Sequence, residues 1–198
     1  MYYNWGYIRN ATLAKLDLSA EEADAMNMSD RFVYYANEAI VQISSAVKPK
    51  HTFFEFEATE DNVDSLITMP DDFIAFGDDV NYLIYNDKLI DKKVRREAND
   101  NDDFEYVGSN QIMFHTVGKY LISYDAIWTF LSNPADKDVL EMPADVISCL
   151  PSYIASQCMK IDDETMSTIL KNEYEVFVAR INDTNYKSTK KFRIEGDW

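Results

Sequence analysis

The sequence TFFEFE, from Thr52 to Glu57, is where the periodicity of this chain changes. Phenylalanines at positions 54 and 56 alternate with glutamates at 55 and 57, and a period of two is typical of a half-buried β-strand. Similar β-rich runs follow at Val80–Tyr85 and Lys119–Trp128. Because these runs come as one block, we expect a small antiparallel sheet or an open barrel within residues 52–130.

Helical periodicity precedes this block, within residues 1–50. Ser19 is followed by an alanine and two glutamates, which indicates an N-cap and an acidic first turn. Over residues 29–47 apolar side chains recur every three or four positions. Ser29 or Asp30 is the expected N-cap of this longer helix.

Helical periodicity returns over residues 143–183. Two amphipathic stripes are joined there by a tight turn at Asp162–Glu164, which predicts an antiparallel helical hairpin. Pro151 either kinks the first of these helices or begins a second one. The order of helices, strands and helices predicts an α+β fold, with a single domain over residues 1–183 and an extended C-terminal arm over residues 184–198.

The chain is strongly acidic. It carries 35 Asp and Glu residues against 19 Lys and Arg residues, a net charge of −16. Affinity for nucleic acids depends on cations that replace phosphate counterions, so this charge argues against specific binding of DNA or RNA. An acidic surface does, however, let DNA pass without sticking. Ten of the acids, and no Lys or Arg, lie between Thr52 and Asp87, which predicts one intensely negative region.

Features of secretion and membrane insertion are missing from the sequence. No apolar run approaches the ~20 residues of a membrane span, and the N-terminus lacks the basic-then-apolar pattern of a secretory signal. Cys149 and Cys158 lie nine residues apart in an expected helix, a separation of about 13.5 Å, which is too long for a disulfide. We therefore expect a soluble intracellular product with reduced thiols and no membrane partner.

Motifs of catalysis and of cofactor binding are also missing. The five glycines form neither a GxGxxG motif nor a P-loop, and His51 and His115 have no partner at zinc-ligand spacing. His115 follows an apolar run, so we expect a core or interface histidine. The run Asp100–Asp103 lacks the glycine and the final glutamate of an EF-hand, and Glu97–Glu105 is expected to be a solvated hairpin tip. We expect no enzymatic activity, no cofactor and no metal site.

The last residues, 184–198, differ in composition from the rest of the chain. Four cations face two acids, a local charge of +2, and four large apolar side chains lie between them. A solvated tail has little reason to carry such side chains, so we expect an arm that binds another protein chain. A flexible solubilising tail and a tail that contacts DNA remain as alternatives. The expected interface residues are Tyr186, Lys190, Lys191, Phe192, Arg193, Ile194 and Trp198.

Several short strings occur in a characteristic order over most of residues 29–182. They are the capped helix Ser29–Val47, the string LITMPDDF from Leu66, GKYLISY from Gly118, MPAD from Met142, LPSYIASQ from Leu150 and EYE from Glu173. In order and spacing they resemble the head-to-tail connector, or adaptor, proteins of tailed bacteriophages, which form a ring beneath the portal at the capsid vertex. The acidic stretch Glu97–Glu105 and the arm match no motif of that family, so their roles are inferred from charge alone.

The resemblance implies a structural virion protein in the neck between capsid and tail, made in the host bacterial cytoplasm. It implies a homo-oligomeric ring of about twelve copies that contacts the portal protein and the tail or a second neck protein. DNA would pass through an acidic channel without specific binding, and the arm would cross onto a neighbouring subunit or the portal.

Two alternatives to the adaptor remain open. A tail terminator or another neck ring is the near one. A carbohydrate- or peptide-binding module, from a different class of protein, is suggested by exposed-looking aromatic residues. These are Tyr2, Tyr3, Tyr34 and Tyr35.

Overall fold

The structure, a computed structural model, describes residues 3–76, 83–85, 88–90 and 104–188. Helices and antiparallel strands occupy separate blocks, which confirms the α+β class. The chain divides into two compact units. Residues Met1–Lys48 with Trp128–Trp198 form the helical unit, and residues Pro49–Ile127 form the β unit.

The helical unit is built around its fourth helix. Its helices in the described residues are α1 Trp5–Leu16, α2 Ala20–Ala25, α3 Met28–Ala46, α4 Ala144–Met159 and α5 Glu164–Ser188. α4 packs against α1, α3 and α5, and its side chains Ile147, Leu150 and Ile154 are buried. Burial of each such side chain stabilises the fold by about 1.5–3 kcal/mol. α4 and α5, joined by a short turn, are the expected helical hairpin.

The start of α3 differs from the sequence prediction. The helix begins at Met28, and its N-cap is Asn27, which has a φ of 51° and makes no side-chain capping hydrogen bond. The expected cap at Ser29 or Asp30 is therefore wrong, because both residues already lie in the first turn. Asparagine tolerates the left-handed conformation better than most residues, which lets α3 follow α2 after a very short connection.

Two other local predictions have clear outcomes. Ser19 is the N-cap of α2, as expected: its Oγ accepts a hydrogen bond from the Glu22 amide at 3.2 Å, and the Glu22 carboxylate accepts one from the Ser19 amide at 2.8 Å. This reciprocal pair is a capping box. Pro151 lies inside α4, so the alternative that it begins a second helix is wrong.

The β unit contains two antiparallel sheets. Its strands in the described residues are β1 Lys50–Ala58, β2 Leu66–Thr68, β3 Phe73–Ala75, β4 Leu83–Tyr85, β5 Lys88–Ile90, β6 Phe104–Val107, β7 Gln111–Phe114 and β8 Gly118–Ala126. One sheet has the order β1-β8-β4-β5, with β3 also paired to β8, and the other has the order β2-β7-β6. The run at residues 52–57 is confirmed as a strand, and the run at 119–128 is confirmed as far as Ala126. The described part of the run at 80–85 is β4.

Aromatic side chains form the core of the β unit. The ring of the buried Phe114 lies 5.1 Å from that of Phe56 and 4.0 Å from that of Tyr120, measured between centroids. Along β1, Phe54 and Phe56 are half-buried against this core while Glu55 and Glu57 are exposed. The alternation in TFFEFE therefore predicted correctly which side of the strand packs inward.

The helix that precedes the expected arm is longer than predicted. α5 runs to Ser188, so residues 184–188 are helical and not extended. Positions 184–188 hold neither Gly nor Pro, the residues that most often end a helix, which explains why it continues. Residues 189–198 lie outside the described residues, as do residues 97–103 of the expected acidic tip; Glu105 lies in β6.

Candidate functional site

The seven residues expected at an inter-chain interface lie at the end of the chain. Tyr186 belongs to α5, and the other six come after Ser188, outside the described residues. The described structure that bears on this interface is therefore α5, the helix that leads to it.

α5 is attached to the rest of the helical unit by polar and aromatic contacts. The Lys15 ammonium of α1 lies 2.7 Å from the Glu173 carboxylate. Ser167 Oγ donates a hydrogen bond to the Ser156 carbonyl of α4 at 2.9 Å. The rings of Tyr153 and Tyr174 lie 4.9 Å apart between α4 and α5. These contacts hold α5, the helix that precedes the expected interface residues, against α1 and α4.

The two tyrosines of this contact are structural. Both are buried, and the Gln42 side-chain amide donates a hydrogen bond to Tyr153 Oη at 2.8 Å. Burial, followed by the neighbouring Glu38, raises the pKa of Tyr153 to about 12. Burial also raises the pKa of Tyr174 well above its usual value. Neither phenol ionises near neutral pH, so both pack as neutral side chains and do not act as bases.

The cysteines of α4 are also unreactive. Burial raises the pKa of Cys149 to about 12 and that of Cys158 to about 11. Cys149 Sγ donates a hydrogen bond to the Val146 carbonyl at 3.0 Å. Both thiols are free, as expected, and their high pKa values keep them in the weakly nucleophilic thiol form.

One face of α5 is apolar and exposed. Met166, Ile169 and Val176 have relative exposures of 39%, 56% and 51%. Positions three and seven residues apart lie on one side of a helix, so we call these three residues the outer face of α5. Leu170 and Tyr174, four and eight positions after Met166, are buried and border this face. These exposed apolar side chains make the outer face a candidate surface for contact with another chain.

A groove of about 400 Å³ runs beside this hairpin, lined by α3, α4 and α5. Its lining includes two amides, two tyrosines and two charged residues: Gln42, Gln157, Tyr153, Tyr174, Lys171 and Glu175. Its lining combines apolar surface with a few hydrogen-bonding groups and contains no nucleophile–base pair. It therefore suits an inserted side chain of a partner better than a reacting substrate.

The β unit presents an acidic surface. Residues 49–76 and 104–127 carry nine Asp and Glu against two Lys. Six of the seven described acids between positions 52 and 87 are exposed. The seventh, Asp72, accepts a hydrogen bond from Tyr124 Oη at 3.0 Å. The negative region expected from the sequence thus lies on the surface in its described part, while Asp78, Asp79 and Asp87 lie outside that part.

Both histidines pair with an aspartate in the β unit. His51 Nδ1 lies 2.5 Å from Asp125 Oδ1, and His115 Nδ1 lies 2.6 Å from Asp64 Oδ1. His115 is exposed, so the expectation of a core histidine is wrong. The alternative, a histidine at an interface, stays a prediction. Among the residues that the structure describes, no three His, Cys, Asp or Glu side chains are grouped to hold a metal ion.

The tyrosines that suggested a sugar- or peptide-binding surface do not form a flat platform. Tyr34 is exposed, and its ring lies 5.5 Å from that of Tyr35 at an interplanar angle of 72°. Tyr3 contacts Tyr7 at 5.3 Å and 89°, and Tyr2 lies outside the described residues. Rings at such angles share no common face on which a sugar ring stacks.

Two comparisons with known proteins do not assign this chain to a family. Neither a protein-family model nor a curated protein matches this chain. Within the described residues, no helix has both the length and the hydropathy needed to cross a membrane.

Proposed function

We propose that this chain is a structural virion protein that forms the head-to-tail adaptor ring of a tailed bacteriophage. In this function the ring binds the portal protein on one side and the tail, or a second neck protein, on the other. DNA passes through the ring without specific binding, and the virion neck is the site of action.

The observation that best supports this proposal is the charge difference between two parts of one chain. The β unit is acidic on its surface, whereas the segment after α5 carries Lys190, Lys191 and Arg193 together with Phe192, Ile194 and Trp198. A chain with two surfaces of opposite charge is suited to bind its own copies or an acidic partner. The outer face of α5 adds exposed apolar surface on the helix that precedes that segment.

The acidic β unit also fits the passage of DNA. Like charges repel, so a ring of such units does not hold the phosphate backbone wherever these acids face it. Specific DNA binding requires the opposite, a cluster of cations that displaces counterions. The alternative of a DNA-contacting C-terminal tail is weakened by the rest of the chain: the whole chain carries −16 and residues 184–198 carry +2, so the other 183 residues carry −18.

Native mass spectrometry of the full-length chain mixed with purified portal complex tests the proposal. We expect a complex with about twelve copies of the chain bound to the portal. A Lys191→Glu and Arg193→Glu chain should bind fewer copies, while Lys160→Glu, on the exposed residue after α4, should bind as the unchanged chain does. A chain that stays monomeric and does not bind the portal would overturn the adaptor. A ring that binds tail proteins but not the portal would favour the tail terminator.

A further inference from the structure

The longest sheet edge in the described residues is strand β1. It pairs with β8 along its full nine residues, from Lys50 opposite Ala126 to Ala58 opposite Gly118. In the part of the chain that the structure describes, β1 pairs with no other strand. The other edge strands, β2, β5 and β6, have only three or four residues. An open edge of this length offers a row of main-chain amides and carbonyls to an added strand.

The side chains next to this edge are acidic on one face and aromatic on the other. Phe53, Glu55 and Glu57 are exposed on the outer face, whereas Phe54 and Phe56 are half-buried. The rings of Phe54 and Phe56 lie 6.3 Å apart and nearly parallel, at 23°. Asn62 Nδ2 donates a hydrogen bond to the Glu57 carbonyl at 3.1 Å, so this carbonyl already has a partner and an added strand meets the edge there through the Glu57 side chain.

The segment after α5 has the complementary pattern. Residues 191–195 read KFRIE, in which cations at 191 and 193 alternate with apolar residues at 192 and 194. As a strand, this segment would present Lys191 and Arg193 on one face and Phe192 and Ile194 on the other. Both the period and the order of charges therefore match β1.

We propose that residues 191–195 of a second copy add to β1 as an antiparallel strand. Arg193 then lies opposite Glu55, and Lys191 lies opposite Glu57. The same register places Phe192 beside Phe56 and Ile194 beside Phe54, where cross-strand aromatic and aliphatic side chains stabilise a sheet. A parallel strand with Lys191 opposite Glu55 would instead place Ile194 beside Ala58 and leave Phe54 without an apolar neighbour from residues 191–195, which is why the antiparallel direction is the one proposed.

The choice of a second copy rests on the proposed function, since a ring supplies a neighbour at every contact. When the C-terminal segment of one copy binds the edge of the next, the contact is head-to-tail, and its repetition closes a ring. Strand addition of this kind takes its affinity from main-chain hydrogen bonds and its specificity from alternate side chains.

Charges on an edge strand usually prevent sheets from joining. Glu55 and Glu57 do this between two β1 edges, because like charges would face each other. The same two glutamates attract a strand whose cations lie opposite them. This pair of acids therefore disfavours pairing of two β1 edges and favours pairing of β1 with residues 191–195.

Crosslinking between two full-length chains tests this pairing. One chain carries Glu55→Cys, and the other carries Arg193→Cys and an isotope label. Both chains also carry Cys158→Ser. A short bis-maleimide reagent then links thiols that lie close together. We expect crosslinked pairs of one labelled and one unlabelled chain. The control uses Glu60→Cys, an exposed residue in the turn after β1, in place of Glu55→Cys and should give little product. If the yield of crosslinked pairs does not exceed that of the control, the proposed pairing is wrong. If a single chain that carries both Glu55→Cys and Arg193→Cys crosslinks internally, and separate chains do not crosslink, the added strand does not come from a second copy.

Charge reversal gives a second, independent measurement. Lys191→Glu with Arg193→Glu should weaken self-association about tenfold and increase hydrogen exchange of the β1 amides that do not bond to β8. Adding Glu55→Lys and Glu57→Lys to the same chain should restore both. Loss without restoration would overturn the register.

These measurements use the chain alone and so separate the two proposals. If the copies crosslink but do not bind the portal, the strand pairing is supported and the adaptor function is contradicted. If the chain binds the portal but the copies do not crosslink, the adaptor function is supported and the strand pairing is contradicted.

Discussion

Lys15 and Glu173 lie 158 residues apart in the chain, yet the Lys15 Nζ atom is 2.7 Å from one oxygen of the Glu173 carboxylate and 2.9 Å from the other. This ion pair joins the first helix to the last one, α1 to α5. Both side chains are partly shielded, with exposures of 27% and 41%. The pair thus stabilises the helix that leads to the expected interface residues.

Removing this ion pair should lower stability modestly. We expect Lys15→Ala and Glu173→Ala, combined in a double-mutant cycle, to give a coupling free energy of about 0.5–1 kcal/mol in urea unfolding, since surface pairs seldom exceed that range. The more exposed pair Lys171–Glu175, at 3.8 Å, is the matched control and should give close to zero. Equal coupling in both pairs would contradict the role given to Lys15.

The stability of the helical unit should depend on pH in the alkaline range. The pKa of Tyr153 is raised by burial from 10.0 to about 12, so the folded state holds the phenolic proton more tightly than the unfolded state. Its contribution is fully present below pH 10 and is lost as the pH rises toward 12. Tyr174, whose pKa is raised in the same direction, adds to this loss.

Urea unfolding followed by far-ultraviolet circular dichroism, at pH values between about 8 and 12, measures this effect. Tyr153→Phe and Tyr174→Phe should each reduce the alkaline loss of stability. Tyr34→Phe, on an exposed ring, should leave it unchanged. A profile that is identical in all four chains would contradict the assignment.

The aromatic core of the β unit should be sensitive to truncation. Phe114 is buried between the rings of Phe56 and Tyr120, so Phe114→Ala should lower the unfolding free energy by about 3–5 kcal/mol. Leu66→Ala, in strand β2 with an exposure of 52%, is the control and should change it by less than about 0.5 kcal/mol. Denaturant unfolding monitored by near-ultraviolet circular dichroism gives both values.

Gly6 should resist replacement even though it lies in a helix. Its amide donates a hydrogen bond to the Asp136 carbonyl at 3.0 Å, and a Cβ atom at this position would meet the same carbonyl oxygen at 2.9 Å. We expect Gly6→Ala to destabilise the protein by about 1–3 kcal/mol, despite the better helix propensity of alanine. Ala14→Gly, on the exposed side of α1, isolates the propensity term of about 1 kcal/mol. A more stable Gly6→Ala protein would show that the loop at Asp136 moves away freely.

The outer face of α5 should contribute to assembly and not to folding. Ile169→Asp should leave the circular dichroism spectrum and melting temperature nearly unchanged, because the side chain is 56% exposed, and should reduce ring formation in native mass spectrometry. Thr168→Asp, the neighbouring position on α5, is the matched control. Unchanged assembly of the Ile169→Asp chain would remove this face from the proposed interface.

Local patterns in the sequence predicted local structure well. The alternation from Thr52 to Glu57 placed Phe54 and Phe56 inward. The apolar stripe of the second helix of the hairpin is buried at Leu170, Tyr174 and Ile181, but its first member, Met166, is exposed. Both predictions depend on the period of apolar residues, which follows directly from helix and strand geometry. The capping box at Ser19 was visible for the same reason, since its partners are three residues apart.

Features that depend on distant residues were not visible. The α3 cap was misplaced because Ser29 has the right side chain, but the backbone at Asn27 reverses first. The pairing of β1 with β8 joins residues far apart in sequence, and no local pattern gives that register. The length of α5 beyond position 183 was missed because a polar segment without Gly or Pro gives little indication of where a helix stops.

The connections of the β unit have a consequence for how this chain is built. Lys50 and Ala126, at the two ends of the unit, are paired opposite each other in β1 and β8. Just outside it, the Trp128 indole donates a hydrogen bond to the Lys48 carbonyl at 2.8 Å. The β unit is therefore an insertion whose entry and exit are neighbours, so that a two-glycine bridge from Lys48 to Trp128 would close the helical unit without rerouting any helix. The order and packing of the helices therefore do not require this particular insert between Lys48 and Trp128.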